Sequence, residues 1–190
     1  MPNKVVVVGS YNTDMTIKTP RLPQPGETIL GGRFAMHAGG KGANQAVAAA
    51  RAGAQVWFIA RVGDDELGRD ALNVLRAEGV NCDFVVRDAN EPTGTAFILV
   101  DAHGENCIVV ASGANMGLQP RDVEAANTII ASAEVLLLQL ESPLETVTAA
   151  AQLAQAHGCK VVLNPAPARV LETDLLRTVH VITPNALEVE

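Results

Sequence analysis

Hydrophobic positions along the chain follow two different periods. Val5-Val6-Val7-Val8 is a continuous apolar run of strand length between Lys4 and Gly9. A run without polar alternation predicts a strand buried on both faces. Similar short runs predict strands at Val56–Val62, Cys82–Arg87, Val135–Leu140 (apolar but for Gln139), Lys160–Leu163 and Val179–Thr183. Helical spacing fills the gaps between them. Gly39–Gly53 carries an Ala-rich core that favours helix, with Gly53 placed as a C-terminal stop. Glu66–Glu78 sets Leu67, Ala71, Val74 and Leu75 on one face behind Gly63-Asp64-Asp65 as the capping stretch. Pro120 opens a helix reaching Ser132, Leu144–His157 is stopped by Gly158, and Glu172–Arg177 is a short helix. Strands alternating with helices predict an α/β fold, with a mainly parallel sheet covered on both faces.

Two segments break that rhythm. Ser10–Asp14 reads as a polar turn and Met15–Lys18 alternates weakly. Pro20, Pro23, Pro25 and Gly26 mark a loop, and Glu27–Ala38 reads as one or two exposed strands around Gly31-Gly32. Thr95–Asp101 and Asn106–Ala111 form a predicted hairpin. Residues 15–38 and 95–111 together predict a small second sheet projecting from one domain that occupies 1–190. Near the end, Pro184-Asn185 looks like a helix start, and Glu188 stands three residues on, as in a capping box. One turn is too little for a stable helix. The pattern therefore predicts the front part of a longer chain, with an open edge on the large sheet and poor solubility.

Charge and cysteine usage narrow the function class. The net charge is −7, which weighs against nucleic acid or an anionic membrane as partner. There is no 18-residue apolar run and no basic-then-apolar leader. Cys82, Cys107 and Cys159 are far apart and form no Cys-x-x-Cys pair, so they read as free buried thiols in a reducing cytoplasm. The four histidines form no close pair and read as surface or loop residues.

The candidate chemistry begins at Gly39-Gly40-Lys41-Gly42-Ala43-Asn44. Glycines let the backbone turn sharply and approach a ligand. The leading N–H groups of the helix, the Lys41 charge and the Asn44 amide make a place for hydroxyl oxygens or a phosphate. The Walker pattern is excluded, because Ala35 stands where it needs glycine and Gly42 where it needs Ser or Thr. The dinucleotide fingerprint is excluded by Gln45. Glycines needed only for packing remain the alternative. Other polar residues follow predicted strands, where open parallel sheets bind ligands: Asn12 and Asp14, then Glu141, Asn164-Pro165-Ala166-Pro167, and Thr183-Pro184-Asn185. Carboxylates that accept from hydroxyls, beside amides that donate and accept, suit a polyol. Singly, Asp14 could close a turn, Glu141 could favour a helix start and Asn185 could be a cap.

Gly9-Ser-Tyr-Asn12-Thr-Asp14, Pro25-Gly-Glu-Thr28, Gly39–Ala49, Gly63-Asp-Asp65 with Gly68, Thr93-Gly94, Gly113-Ala-Asn115, Leu140-Glu-Ser-Pro143, Asn164-Pro-Ala-Pro-Ala168 and Thr183-Pro-Asn185 with Glu188 span the chain in order. At these residues it resembles the ribokinase-like (PfkB-type) carbohydrate kinase family. The resemblance implies a three-layer α/β/α fold with a β-sheet lid. It also implies ATP-dependent phosphorylation of a pentose's primary hydroxyl, ribose giving ribose 5-phosphate, with another sugar or a nucleoside as the alternative acceptor. It implies Asn12, Asp14, Gly40, Lys41, Gly42, Asn44 and Glu141 as sugar ligands, with Ala96 and Val110 as apolar lid contacts. Asn185 would lie on the nucleotide side and Glu188 would organise Mg2+ through water. A monovalent cation such as K+ and a homodimer joined through the lids are further implications. The family's general base is the Asp of a Gly-Ala-Gly-Asp motif, and no Gly-x-Gly-Asp occurs here. The resemblance thus implies that these 190 residues alone are inactive, and it leaves open a non-catalytic sugar-binding protein.

Overall fold

Four consecutive valines set the architecture. Val5 and Val7 enter one hydrophobic cluster, with Ala43, Ala46, Phe58, Ala71 and Leu75. Val6 and Val8 enter another, with Ile59, Val123, Ile130, Leu136, Val147 and Val161. Side chains alternate across a strand, so a strand apolar at every position is held between two helical layers. The structure, a computed structural model, describes residues 3–186 and 188.

The large sheet has six strands, β1 (Lys4–Val8), β4 (Gln55–Gly63), β5 (Val80–Asp88), β8 (Val135–Leu138), β9 (Lys160–Leu163) and β10 (Val181–Ile182). Their order is β10-β9-β8-β1-β4-β5, and every pairing is parallel. Helices α1 (Lys41–Arg51) and α2 (Glu66–Ala77) cover one face; α3 (Pro120–Glu124), α4 (Asn127–Ala131) and α5 (Leu144–Ala156) cover the other. A short α6 (Thr173–Leu176) follows. Val181 and Ile182 on the outer strand β10 are about half exposed, and among the described residues β10 pairs only with β9.

The second sheet is mixed, in the order β3-β2-β6-β7. It joins β2 (Asn12–Lys18), β3 (Arg33–Gly39), β6 (Thr95–Val100) and β7 (Asn106–Ala111). Several boundaries differ from the sequence reading. Asn12, Thr13 and Asp14 are not a turn but the first residues of β2. Their polarity is the local mark of a turn, but pairing with β3 and β6 makes them strand, with the Asn12 side chain bonded to Asn115. Of the stretch 27–38, residues 27–32 are not strand; β3 begins at Arg33 and runs to Gly39. The helix expected over 120–132 is broken in two, with tight bonds from Ala126 N to Val123 O and from Ile129 N to Ala126 O. This winding keeps Val123, Ala126 and Ile130 all buried. Cys82 and Cys159 are buried and burial pushes both thiols up to about 11, but Cys107 is exposed on β7.

Candidate functional site

The strand order turns round at β1: β4 and β5 extend to one side of it, β8, β9 and β10 to the other. Such a switch opens a crevice at the carboxyl ends of the strands. Ser10 follows β1 there, Glu141 follows β8, and α1 starts between them. Lys41 N donates to Glu141 Oε2 at 2.9 Å, and Ser10 Oγ donates to the same oxygen at 2.5 Å. Gly42 N donates to Ser10 Oγ at 3.4 Å and Ala43 N to Ser10 O at 2.9 Å. The leading N–H groups of α1, expected to meet a ligand, are therefore engaged by the protein itself. They fix the Glu141 carboxylate at the positive end of the helix.

The glycines are needed for this approach. Gly40 has φ 87°, and a Cβ there would lie 2.7 Å from Asn12 N. A Cβ on Gly42 would lie 2.6 Å from Ser10 N. Both obstacles are backbone, which cannot swing aside.

The lid supplies the opposite wall. Its register places His37, Asp14, Ala96 and Val110 side by side across β3, β2, β6 and β7. Residues directly opposite share a face, and Asn12, two residues before Asp14, shares it too. The Asp14 carboxylate folds over Gly39, leaving no room there for a Cβ. Burial, and next the nearby Glu141 charge, raise the Asp14 pKa above its ordinary 3.8, with His37 opposing.

A cavity of about 350 Å3 opens between lid and sheet, lined among others by Asn12, Val110, Asn115, Glu141, Ser142 and Arg169. The structure thus brings Asn12, Val110 and Glu141 to one cavity. Asp14 and the buried Ala96 stand beside Val110 in the same row. Lys41 and Gly42 adjoin through their bonds to Glu141 and Ser10, and Gly40 through its close approach to the backbone of Asn12. Asn44 is separate: it is exposed and lines a groove between α1 and α2, with Ala38, Val74 and Glu78.

Two supports of the lid are not among the candidate site residues of the sequence. Asn115 is 2% exposed and bonds to Tyr11 and Asn12. Its only signal is the Gly113-Ala-Asn115 motif. Asp65 caps α2 through Gly68 N at 2.7 Å, as expected, and also accepts from Thr93 N at 2.8 Å and Thr93 Oγ1 at 2.7 Å. Thr93 leads into lid strand β6, so Asp65 anchors the lid base. Burial pushes this carboxyl up, but the bonds from Thr93 and Gly68 outweigh it and its pKa is lowered.

At the far end, Glu188 accepts from Asn185 N at 2.9 Å and Asn185 Nδ2 at 3.0 Å, and Glu188 N donates back to Asn185 Oδ1 at 3.0 Å. This is the capping box read from the sequence. Among the described residues no group of three or more His, Cys, Asp or Glu side chains could hold a metal ion. The Glu188 carboxylate is turned to Asn185.

The sequence profile of the pfkB family carbohydrate kinases matches residues 2–190. A ribokinase of Haemophilus influenzae is 46% identical over 190 residues, all of this chain and 62% of that protein. A deoxyribokinase of Salmonella typhi is 37% identical over 187 residues, 98% of this chain and 61% of that protein. The structure of Arabidopsis thaliana ribokinase complexed with ribose and ATP superposes with a TM-score of 0.87 at 34% identity, covering 100% of this chain and 62% of that one. The chain spans about three fifths of the length of these relatives.

Proposed function

We propose that this chain, which belongs to the pfkB family of carbohydrate kinases, binds a pentose, ribose foremost, and serves its ATP-dependent phosphorylation at the primary hydroxyl. The observation that carries this reading is the convergence of Asn12, Glu141 and Val110 on one cavity at the strand switch, with Asp14 and Ala96 beside them in the lid. Ionised Asp14 and Glu141 accept from sugar hydroxyls, often two at once. Asn12 supplies an amide, and Ala96 and Val110 pack on the C–H edges of the ring. Gly40 and Gly42 bring the backbone close, and Lys41 opens α1 beside Glu141, so that its charge is available to the sugar. Asn44 joins the set by a side-chain rotation from its groove. ATP approaches from the β10 side, where Asn185 lies; Mg2+ and a monovalent cation complete the assembly. Phosphoryl transfer rests on positioning and on keeping water out, which a lid provides. Three unpaired thiols support a reducing cytoplasmic setting.

Calorimetric titration of the full-length protein with ribose, 2-deoxyribose, fructose and adenosine tests the acceptor. Ribose is expected to bind most tightly, because each lost hydroxyl strands a buried polar group of the site. The similarity to a deoxyribokinase makes 2-deoxyribose the deciding arm. Tighter binding of 2-deoxyribose or adenosine than of ribose would overturn the ribose assignment.

The lid also supports a homodimer. Met36, Phe97 and Val109 share the face opposite Asp14, and with Phe34 they are 45–65% exposed. An apolar face of this kind marks an interaction surface, and a second lid has the matching chemistry. Wild-type protein is expected to sediment as a dimer and Val109→Lys as a monomer. A monomeric wild type, or a dimer that survives the lysine, refutes the lid contact.

A further inference from the structure

The Asn115 amide has its orientation dictated by backbone. Tyr11 N–H can only donate and Tyr11 C=O can only accept. Asn115 Oδ1 takes the first at 2.9 Å, and Asn115 Nδ2 donates to the second at 2.8 Å. The second hydrogen of Nδ2 goes to Asn12, at 2.9 Å. Only an acceptor can receive it, so that atom is Asn12 Oδ1. The Asn12 Nδ2 group is left without a hydrogen bond to the described residues, on a side chain that lines the cavity. We infer that Asn115 is a positioning residue for the sugar: it locks the Asn12 amide so that Nδ2 faces the cavity and donates to a sugar oxygen. This rests on the pentose reading above.

The surroundings hold the same polarity. The bond runs beneath Gly94, where a Cβ would collide with both Asn115 Nδ2 and Asn12 Oδ1. Gly94 precedes β6, Asn12 begins β2, and Asn115 follows β7 in the 3-10 turn Gly113–Gly117. The amide pair therefore sits where three lid strands leave the body. Asp14 and Glu141 offer the sugar only acceptors when ionised. A donor at Asn12 completes the set, so that one hydroxyl can give its hydrogen to a carboxylate and receive one from Asn12.

A double-mutant cycle on ribose binding by the full-length protein tests this. Asn115→Ala and Asn12→Ala are each expected to weaken ribose binding about tenfold. The double variant is expected to be no weaker than Asn12→Ala, because Asn115 acts only through Asn12. Losses that multiply to about a hundredfold overturn the inference. Asn12→Asp decides independently of any folding defect in Asn115→Ala. It keeps an oxygen for Asn115 Nδ2 but turns the cavity side from donor to acceptor. Ribose binding is expected to fall at least tenfold, and wild-type affinity in this variant also overturns the inference. A wild-type protein that binds no ribose sinks the pentose reading itself, and the inference with it, whereas multiplying losses on a ribose-binding wild type sink the inference alone.

Discussion

Asp14→Asn is expected to bind ribose about a hundredfold more weakly than wild type and yet to melt at a higher temperature at neutral pH. Both halves have one cause. The Asp14 carboxyl is raised above its ordinary value, first by burial and then by the nearby Glu141 charge. A group that is harder to ionise in the folded state than in the unfolded chain costs stability once it is ionised. The sign follows directly. Near the ordinary value of 3.8 the cost begins, as the unfolded chain loses its proton first. It grows with pH and is complete once the pH passes the raised folded value. Asparagine keeps the shape and removes the charge, so the variant escapes the cost. The wild-type melting temperature should therefore approach that of the variant as the pH falls towards 4. Binding moves the other way. A carboxylate accepting from a hydroxyl contributes about 1.5–3 kcal/mol, one to two powers of ten in affinity. Melting curves from about pH 4 to 8, with calorimetry on the same samples, separate the two effects. A variant that melts lower at pH 7, or that keeps its ribose affinity, contradicts this account.

The same residue shows where the sequence stops being legible. Asp14 stands out as a polyol ligand because it follows an apolar strand. Its placement in a second strand was hidden, because polarity in Asn12-Thr13-Asp14 is the local signature of a turn and only pairing with β3 and β6 makes it strand. The valines of β1 and the alanines of α1 read correctly, because burial on two faces and close helix packing are written in neighbouring residues. Glu141 and Lys41 each stand out in the sequence as candidates, but their mutual bond, made across 100 positions, does not. Asn115 lies 103 positions from Asn12, and Thr93 lies 28 from Asp65. Partly buried Arg61, 2.9 Å from both Asp88 and Asp122, likewise gives no local sign. Polar partners of this kind are set by topology, and a linear pattern carries only one half of each pair.

The 190-residue polypeptide itself is expected to bind ribose and to produce ADP no faster than a protein-free control. Transfer to a hydroxyl needs a base within reach of its proton and donors aimed at the migrating phosphoryl group. These residues contain no Gly-x-Gly-Asp, the motif in which the family resemblance places both. Of the two carboxylates at the site, Glu141 already accepts from Ser10 Oγ and Lys41 N through one oxygen. The leading N–H groups of α1, the nearest helix-end donors, are spent on Glu141 and Ser10. Under the pentose reading proposed above, these residues serve to hold the polyol. A coupled assay for ADP with ribose present and absent, run beside calorimetry, checks both halves. Ribose-dependent ADP release from the purified polypeptide would identify a base within it. Asp14, with its raised pKa and its place beside the cavity, would be that base, and Asp14→Asn would then abolish the release.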